Sequence, residues 1–239
     1  MTPTNDISLL PAPTRGPWRR AAHHLRTAAR RALVGLARTG PLVRRALDVL
    51  LSAAALVVLA PLLALAGLAV KVSSRGPAFF AQTRVGQYGR RFSMFKFRSM
   101  YVGADARKAA LAAQNAGAVD AVRFKLRVDP RVTPVGRLLR KFSVDELPQL
   151  WNVLRGDMTL VGPRPPVPRE VELYDPRALR RLEVRPGLTC LWQIGGRSDL
   201  DFDQQVSLDI EYIDRVRPLD EIAIVARTIP AVILGRGAY

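Results

Sequence analysis

From Val49 to Val70 the chain runs for 22 positions without a charged residue, and Pro61 stands near the middle of that run. At about 1.5 Å per residue, a helix of this length crosses a hydrocarbon core of about 30 Å. Hydropathy alone therefore allows a single transmembrane helix. The flanks argue for a different shape. Arg44 and Arg45 precede the run, and Lys71 and Arg75 follow it, so the positive-inside bias draws both ends to the cytoplasmic side. Pro61 removes a helical hydrogen bond and clashes with the preceding turn. Proline is tolerated in genuine spans when neighbouring groups take up the freed carbonyl, but a hairpin that enters one leaflet and returns satisfies both observations. A cleaved signal peptide is not expected, because the run begins far from Met1 and no small-residue cleavage site follows it.

The charge is arranged around this run. Of a formal net charge of +17, the excess lies in residues 1–45, with nine Arg against Asp6, and in residues 71–164, with eighteen Lys and Arg against six acids. The remaining stretch is close to neutral. Such a balance calls for an anionic partner: nucleic acid, an acidic leaflet or a phosphorylated substrate. At 239 residues and 49% apolar content the chain has material for one folded unit plus an appendage. Its single cysteine, Cys190, excludes an internal disulfide framework, and with only His23 and His24 beside it a Cys/His zinc site is excluded too. A reducing, cytosol-facing location fits best. Residues 1–40 open with a Pro/Thr-rich stretch and continue as a basic segment with Ala and Leu, either a helix on an anionic leaflet or a solvated tail.

Past Gly76 the texture changes. Ala78–Thr83 and Arg91–Phe97 are short aromatic-rich runs on either side of Gly86-Gln87-Tyr88-Gly89, which predicts a β-hairpin. Ala-rich residues 103–116 favour a helix, and Asp129-Pro130 and Thr133-Pro134 mark a turn and a helix start. Leu147, Leu150, Trp151 and Leu154 recur at helical spacing, with Gly156 as the stop. Val161–Pro168 is expected to be a stiff, extended connection, and Arg185-Pro186-Gly187-Leu188 has the order of a type II turn. Leu219, Ile222, Val225, Ile229, Val232 and Ile233 line one side of a helical pattern interrupted by Pro230, serving either as core or as an interfacial helix.

The sharpest local constellation is Arg140-Lys141-Phe142-Ser143-Val144-Asp145-Glu146-Leu147-Pro148. Ser143 and Glu146 have the spacing of a capping box, although Pro148 lacks the amide that a helix capped at Ser143 needs, which moves the helix boundary a residue or two later. At a helix N-terminus both carboxylates are expected to have lowered pKa values. An ionised carboxylate beside Arg140 and Lys141 is either neutralised structurally or is a nucleophile or a magnesium ligand. Arg84, Lys96, Arg98, Arg140 and Arg164 all lie in turn or rigid sequence, and Arg164 sits between Pro163 and Pro165. A guanidinium on a stiff backbone loses little entropy when it clamps phosphate oxygens. Together with the acidic pair, these cations point to a diphosphate site near a membrane surface. The aromatics of the hairpin, set among basic residues, also suit single-stranded nucleic acid. No Walker, Rossmann, zinc-finger or RNA-recognition signature accompanies them, however, and such a binder has no need of an apolar hairpin. Nucleic acid is therefore not expected as a partner.

Lys96-Phe-Arg-Ser-Met100, Ser143 through Met158, Val161-Gly-Pro-Arg-Pro165, Arg185-Pro-Gly-Leu-Thr189, Trp192-Gln193 and Gly196-Arg197 closely resemble the bacterial sugar transferases, monotopic phosphoglycosyl transferases that initiate exopolysaccharide and related glycan assembly. The resemblance covers roughly residues 41–239. Residues 1–40, a basic N-terminal extension, lie outside it. It implies an α+β, mainly helical fold: a membrane-embedded re-entrant helix-break-helix hairpin at 41–75 with its break at Pro61, and a small cytosolic domain at 76–239. That domain would hold helices and a β-hairpin and end in interfacial helices. Ala60-Pro61 departs from the frequent Ser-Pro, and Cys190 from a common glycine.

The resemblance also implies transfer of a sugar 1-phosphate from a UDP-sugar to undecaprenyl phosphate, with release of UMP and a need for Mg2+, at the cytoplasmic face of the inner membrane. Asp145 would be the nucleophile that forms an aspartyl-phosphosugar and would also touch the metal, with Glu146 assisting. Arg84, Lys96, Arg98, Arg140, Arg164, Arg185 and Arg197 are the candidates for binding phosphate and substrate, and Trp192, Gln193 and Arg197 serve either the uridine or sugar region or structural packing. An anionic leaflet, a second copy of the chain and downstream glycosyltransferases are the further candidate partners. The alternative is a non-catalytic, membrane-docked scaffold for glycan-assembly enzymes.

Overall fold

The computed structural model describes residues 40–104, 106, 129–195, 200–215 and 218–234. The chain divides into two units, Met1–Arg44 and Arg45–Tyr239, and nearly all of the first lies outside the described residues, as do most of the expected helix at 103–116 and Arg197. The apolar run forms two helices, α1 (Gly40–Val58) and α2 (Ala60–Ser73), bent by 63° at the break. Pro61 falls in the first turn of α2, where its missing amide has no helical acceptor to lose. No single described helix is long and apolar enough to cross a membrane; α1 and α2 meet that condition only as a bent pair.

The bent pair distributes its side chains in an unusual way. Arg45, Asp48 and Ser52 lie on one face of α1 by their spacing, and the first two are used against the rest of the domain. Arg45 donates to the carbonyls of Val153 and Leu154 at 2.6 and 2.7 Å. Asp48 accepts from Thr159 Oγ1 at 2.7 Å and from the Leu160 amide at 3.0 Å. Leu50, Val57, Val58, Leu65 and Leu68 are left exposed. The polar stripe thus faces inward and the apolar surface outward, the reverse of a water-soluble amphipathic helix.

The expected β-hairpin is present. Strands β1 (Phe79–Val85) and β2 (Arg91–Phe97) pair antiparallel, with Phe79 opposite Phe97 and Val85 opposite Arg91. A short 3-10 turn joins them, with Tyr88 and Gly89 at positive φ. Phe97, at the end of β2, packs with Ala66, Val70 and Leu139 in one core cluster, a burial that contributes about 1.5–3 kcal/mol for such a side chain. Helix α3 (Pro134–Lys141) starts as expected: Thr133 caps it by accepting from the Gly136 amide at 2.9 Å, and Pro134 takes the first helical position.

Past α3 three expectations are corrected. Ser143 makes no capping-box bond; it adopts a left-handed conformation at φ 52°, and Val144–Glu146 form a 3-10 turn. Helix α4 (Gln149–Arg155) begins only after Pro148, because proline fits the N-cap but not the helix interior. Its buried face is Gln149, Leu150, Asn152 and Val153, so Trp151, placed in the apolar stripe by its spacing, is exposed. Arg185-Pro186-Gly187 is not a type II turn. Gly187 opens strand β4 (Gly187–Thr189), which pairs parallel with β3 (Thr159–Val161). A Cβ on Gly187 would lie 2.0 Å from the Gly162 nitrogen, so close approach of two backbones, and not a positive φ, requires glycine there.

The stiff connection after β3 is extended as expected and leads through α5 (Pro168–Val171) and α6 (Pro176–Leu179) to a 3-10 turn at Arg180–Leu182. After β4 come α7 (Leu191–Gly195), α8 (Phe202–Arg215) and α9 (Pro218–Leu234). On α9 Ile224 is buried and packs with Val161 and Tyr212. Ile222 and Ile229, read from the sequence as one stripe, are exposed. Among the described residues the architecture is mainly helical, with two small two-stranded sheets.

Candidate active site

Three segments far apart in sequence converge on the acidic turn. The left-handed Ser143 reverses the chain after α3, and the 3-10 turn that follows presents Asp145 and Glu146 beside the end of β2 and the extended segment after β3. Lys96 of β2 donates to Glu146 Oε1 at 2.7 Å, and Arg164 donates to the same oxygen at 3.2 Å. Asp145, adjacent in sequence, is buried and makes no hydrogen bond or ion pair among the described residues. One carboxylate is therefore committed to two cations, and the other is free.

Electrostatics separates the pair further. Burial raises the Asp145 pKa, and the Glu146 charge adds to the effect against Lys96, Arg140 and Arg164. Burial alone would raise Glu146 as well, but Lys96 and Arg164 override it and hold that carboxyl far below the usual range. The expectation that a helix dipole lowers both is thus corrected for Asp145: α4 begins after Pro148, and desolvation dominates at the turn. Burial pulls Lys96 down, while Glu146 raises Arg164. Arg140 is lowered by burial and donates to Ser99 Oγ at 2.9 Å.

Arg164 stands on a strap that is held carbonyl by carbonyl. Pro163 and Pro165 bracket it and have no amides to give to a ladder. The Gly187 amide takes the Pro163 carbonyl and the Val85 amide that of Pro166, both at 2.9 Å. Arg84 Nη1 takes the Pro165 carbonyl at 2.8 Å. The rest of the Arg84 guanidinium is engaged with Gln82 Oε1, and burial, then Arg164, lower its pKa to about 10. Arg84 thus supports the strap in this structure.

The remaining sequence candidates fall elsewhere. Arg98 closes the C-terminus of α2, donating to the carbonyls of Arg75, Ser74 and Val70. Arg185 is exposed and makes no ion pair among the described residues. Trp192 is buried in α7, and its Nε1 has no hydrogen-bond partner among the described residues. Cys190 is buried, with its thiol pKa pushed well up by desolvation. Sequence reasoning missed Asn152, which ties α4 to the exposed edge of β2: it accepts from the Phe95 amide at 3.0 Å and donates to the Ser93 carbonyl at 2.7 Å. Its only signal was a polar residue on the buried face of an otherwise apolar helix.

Among the described residues no group of three or more Asp, Glu, His or Cys gathers to hold a metal alone. The donor set still suits magnesium, a hard cation that commonly takes one or two carboxylates and completes its shell with substrate phosphate and water. Asp145 is the carboxylate left available for that arrangement.

Comparison with known proteins adds the family context. The model of the family described as bacterial sugar transferase matches residues 39–235. The exopolysaccharide production protein ExoY of Sinorhizobium fredii is 45% identical over 202 residues, 84% of this chain and 89% of that protein. The undecaprenyl-phosphate galactose phosphotransferase of Salmonella typhimurium is 42% identical over 205 residues, 84% of this chain and 43% of its own length. The UDP-glucose:undecaprenyl-phosphate glucose-1-phosphate transferase of Caulobacter vibrioides is 42% identical over 204 residues, 82% of this chain and 72% of its own.

Proposed function

The chain belongs to the bacterial sugar transferase family, and on that premise we propose that it moves a sugar 1-phosphate from a UDP-sugar to undecaprenyl phosphate and so initiates an exopolysaccharide or related glycan. The observation that carries this reading is the split acidic pair: Glu146 neutralised by Lys96 and Arg164, and Asp145 buried and unbonded. A carboxylate kept free of hydrogen bonds in a desolvated, cation-rich turn is more basic than in water and has no partner to shed before attack.

In the first step an Asp145 oxygen forms a bond to the phosphorus that carries the sugar, and the bond from that phosphorus to the bridging oxygen breaks, releasing UMP. In the second, an oxygen of undecaprenyl phosphate attacks the same phosphorus and the aspartyl bond breaks, returning the carboxylate and leaving the sugar on a lipid diphosphate. Two displacements let a soluble donor and a lipid acceptor use one site in turn. Lys96, Arg140 and Arg164 are the cations beside the carboxylates, suited to balance charge on the diphosphate. Magnesium held by Asp145 and the donor's phosphates would screen that charge and orient the leaving group.

The acceptor's tail is insoluble, so its phosphate is met at a membrane surface. The bent pair α1 and α2, apolar on the outside and anchored inward by Arg45 and Asp48, supports a re-entrant hairpin in the cytoplasmic leaflet of the inner membrane, with the basic flanks on the headgroups. The test is incubation of the membrane-embedded protein with magnesium, undecaprenyl phosphate and UDP-glucose or UDP-galactose, with UMP as the readout. UMP and a lipid-linked sugar diphosphate are expected with at least one donor from a UDP-sugar panel. Absence of both with every donor would favour the scaffold alternative.

A further inference from the structure

Arg164 is the one cation on the strap that reaches Glu146, and its own backbone is held from behind by a second arginine. Arg181, in the 3-10 turn before β4, is buried, and its Nη2 donates to the Arg164 carbonyl at a long 3.4 Å. The other edges of this guanidinium are fixed more tightly. Nε donates to Asp209 Oδ2 at 2.8 Å and Nη1 to the Tyr174 hydroxyl at 2.7 Å. The rings of Tyr174 and Phe202 lie 5.5 and 5.9 Å from its central carbon, within cation-π range.

Such a cluster is more than is needed to fill space. Burying a charge pair generally gains little over an apolar pair of the same volume, yet here a planar fork is immobilised on three sides with one amino group directed at the strap. The strap has no other donor for that carbonyl among the described residues. Its neighbours at Pro163, Pro165 and Pro166 are taken from β4 and β1, by the Gly187 amide, the Arg84 guanidinium and the Val85 amide. We propose that Arg181 is a positioning residue. Anchored on Asp209 of α8 and on Tyr174, it sets the height of the Arg164 peptide and so aims the Arg164 guanidinium at Glu146. Helix α8 is thereby coupled to the acidic turn. This inference rests on the transferase reading only for its kinetic readout.

The test replaces the buried pair by an apolar one, Arg181→Met with Asp209→Leu, which removes the hold on the carbonyl while keeping the volume filled. Turnover of the UDP-sugar should fall about 10- to 100-fold, the cost of misplacing a charge-stabilising group. The decisive comparison is with Arg164→Ala: in that background the double replacement should change turnover by less than about twofold, because a residue acting through Arg164 has nothing left to position. Equal losses in both backgrounds, or full activity of the folded double variant, would overturn the proposal. If that variant does not fold, Tyr174→Phe, which deletes one hydrogen bond to Arg181, is put through the same comparison. A crystal structure of the variant gives a readout independent of activity. The Arg164 to Glu146 contact should be lost, and its persistence at 3.2 Å would contradict the proposal even if no UDP-sugar were turned over.

Discussion

Lys96 Nζ and Glu146 Oε1, fifty residues apart in sequence, meet at 2.7 Å, and the oxygen that joins them also receives Arg164. This three-way contact leaves Asp145 without a hydrogen bond or ion pair among the described residues, and the two neighbouring carboxylates acquire opposite roles from it. Glu146 is an anchor for two cations, and Asp145 is an available anion.

Asp145→Asn should therefore separate function from stability. The folded protein holds Asp145 with a raised pKa, so its ionisation costs the fold free energy as pH rises through the folded value, and an amide of the same shape removes that cost. Stability in urea at neutral pH is expected to equal wild type or exceed it by up to about 1 kcal/mol. UMP release should fall at least about a thousandfold, with no phosphosugar captured on the protein. Retained turnover would remove Asp145 from the nucleophile role.

Glu146→Gln should do the reverse to stability. With its folded pKa depressed, Glu146 contributes stability that is fully present above the ordinary carboxylate range and is lost as pH falls through the folded value. Replacing it strands Lys96 and Arg164 beside each other, at a cost of about 1.5–3 kcal/mol at pH 7. The acid limb of a stability-against-pH curve should also flatten, since this group no longer titrates. A variant with the acid limb of wild type would show that the ion pairs contribute nothing to the fold.

How much of this was legible beforehand depended on whether the signal was local. The hairpin announced itself through aromatic runs around Gly86 and Gly89, the bend through Pro61, and the cation on the strap through Pro163 and Pro165. The pairing of β3 with β4 was hidden: two three-residue strands are too short for any periodicity, and Pro-Gly resembled a turn. Charge was equally uninformative about partners. Arg98 and Arg84 looked like phosphate ligands, yet the first closes a helix and the second holds a carbonyl. Which anion or carbonyl an arginine meets is settled by long-range packing, not by its neighbours in sequence.

Asn152 supplies a test of that packing. It is fully buried and serves one amide and one carbonyl of β2, so Asn152→Ala leaves two main-chain groups unsatisfied at about 1–3 kcal/mol each. Since β2 also carries Lys96, loss of stability in urea should be accompanied by loss of turnover per folded molecule. Asn152→Ala with normal kinetics at reduced stability would indicate that Lys96 is held by the hairpin alone.

The proposed membrane arrangement makes a prediction about sidedness. Cys190 is buried, so cysteines placed by Gly40→Cys and Arg75→Cys report without background. In a re-entrant hairpin both ends of the bent pair lie on the cytoplasmic side, and both cysteines should resist an impermeant thiol reagent in intact cells and react once the membrane is opened. A straight span would leave one of them labelled from outside. Pro61 is the residue whose missing amide and ring favour the bend, and an apolar helix of 22 residues is long enough to cross if straightened. Pro61→Leu should therefore shift part of the population toward a span, seen as new labelling at one end only and a parallel loss of turnover, because the acidic turn can no longer meet the cytoplasmic headgroups. Unchanged shielding and activity in Pro61→Leu would place the origin of the bend in the inward contacts of Arg45 and Asp48 rather than in the proline.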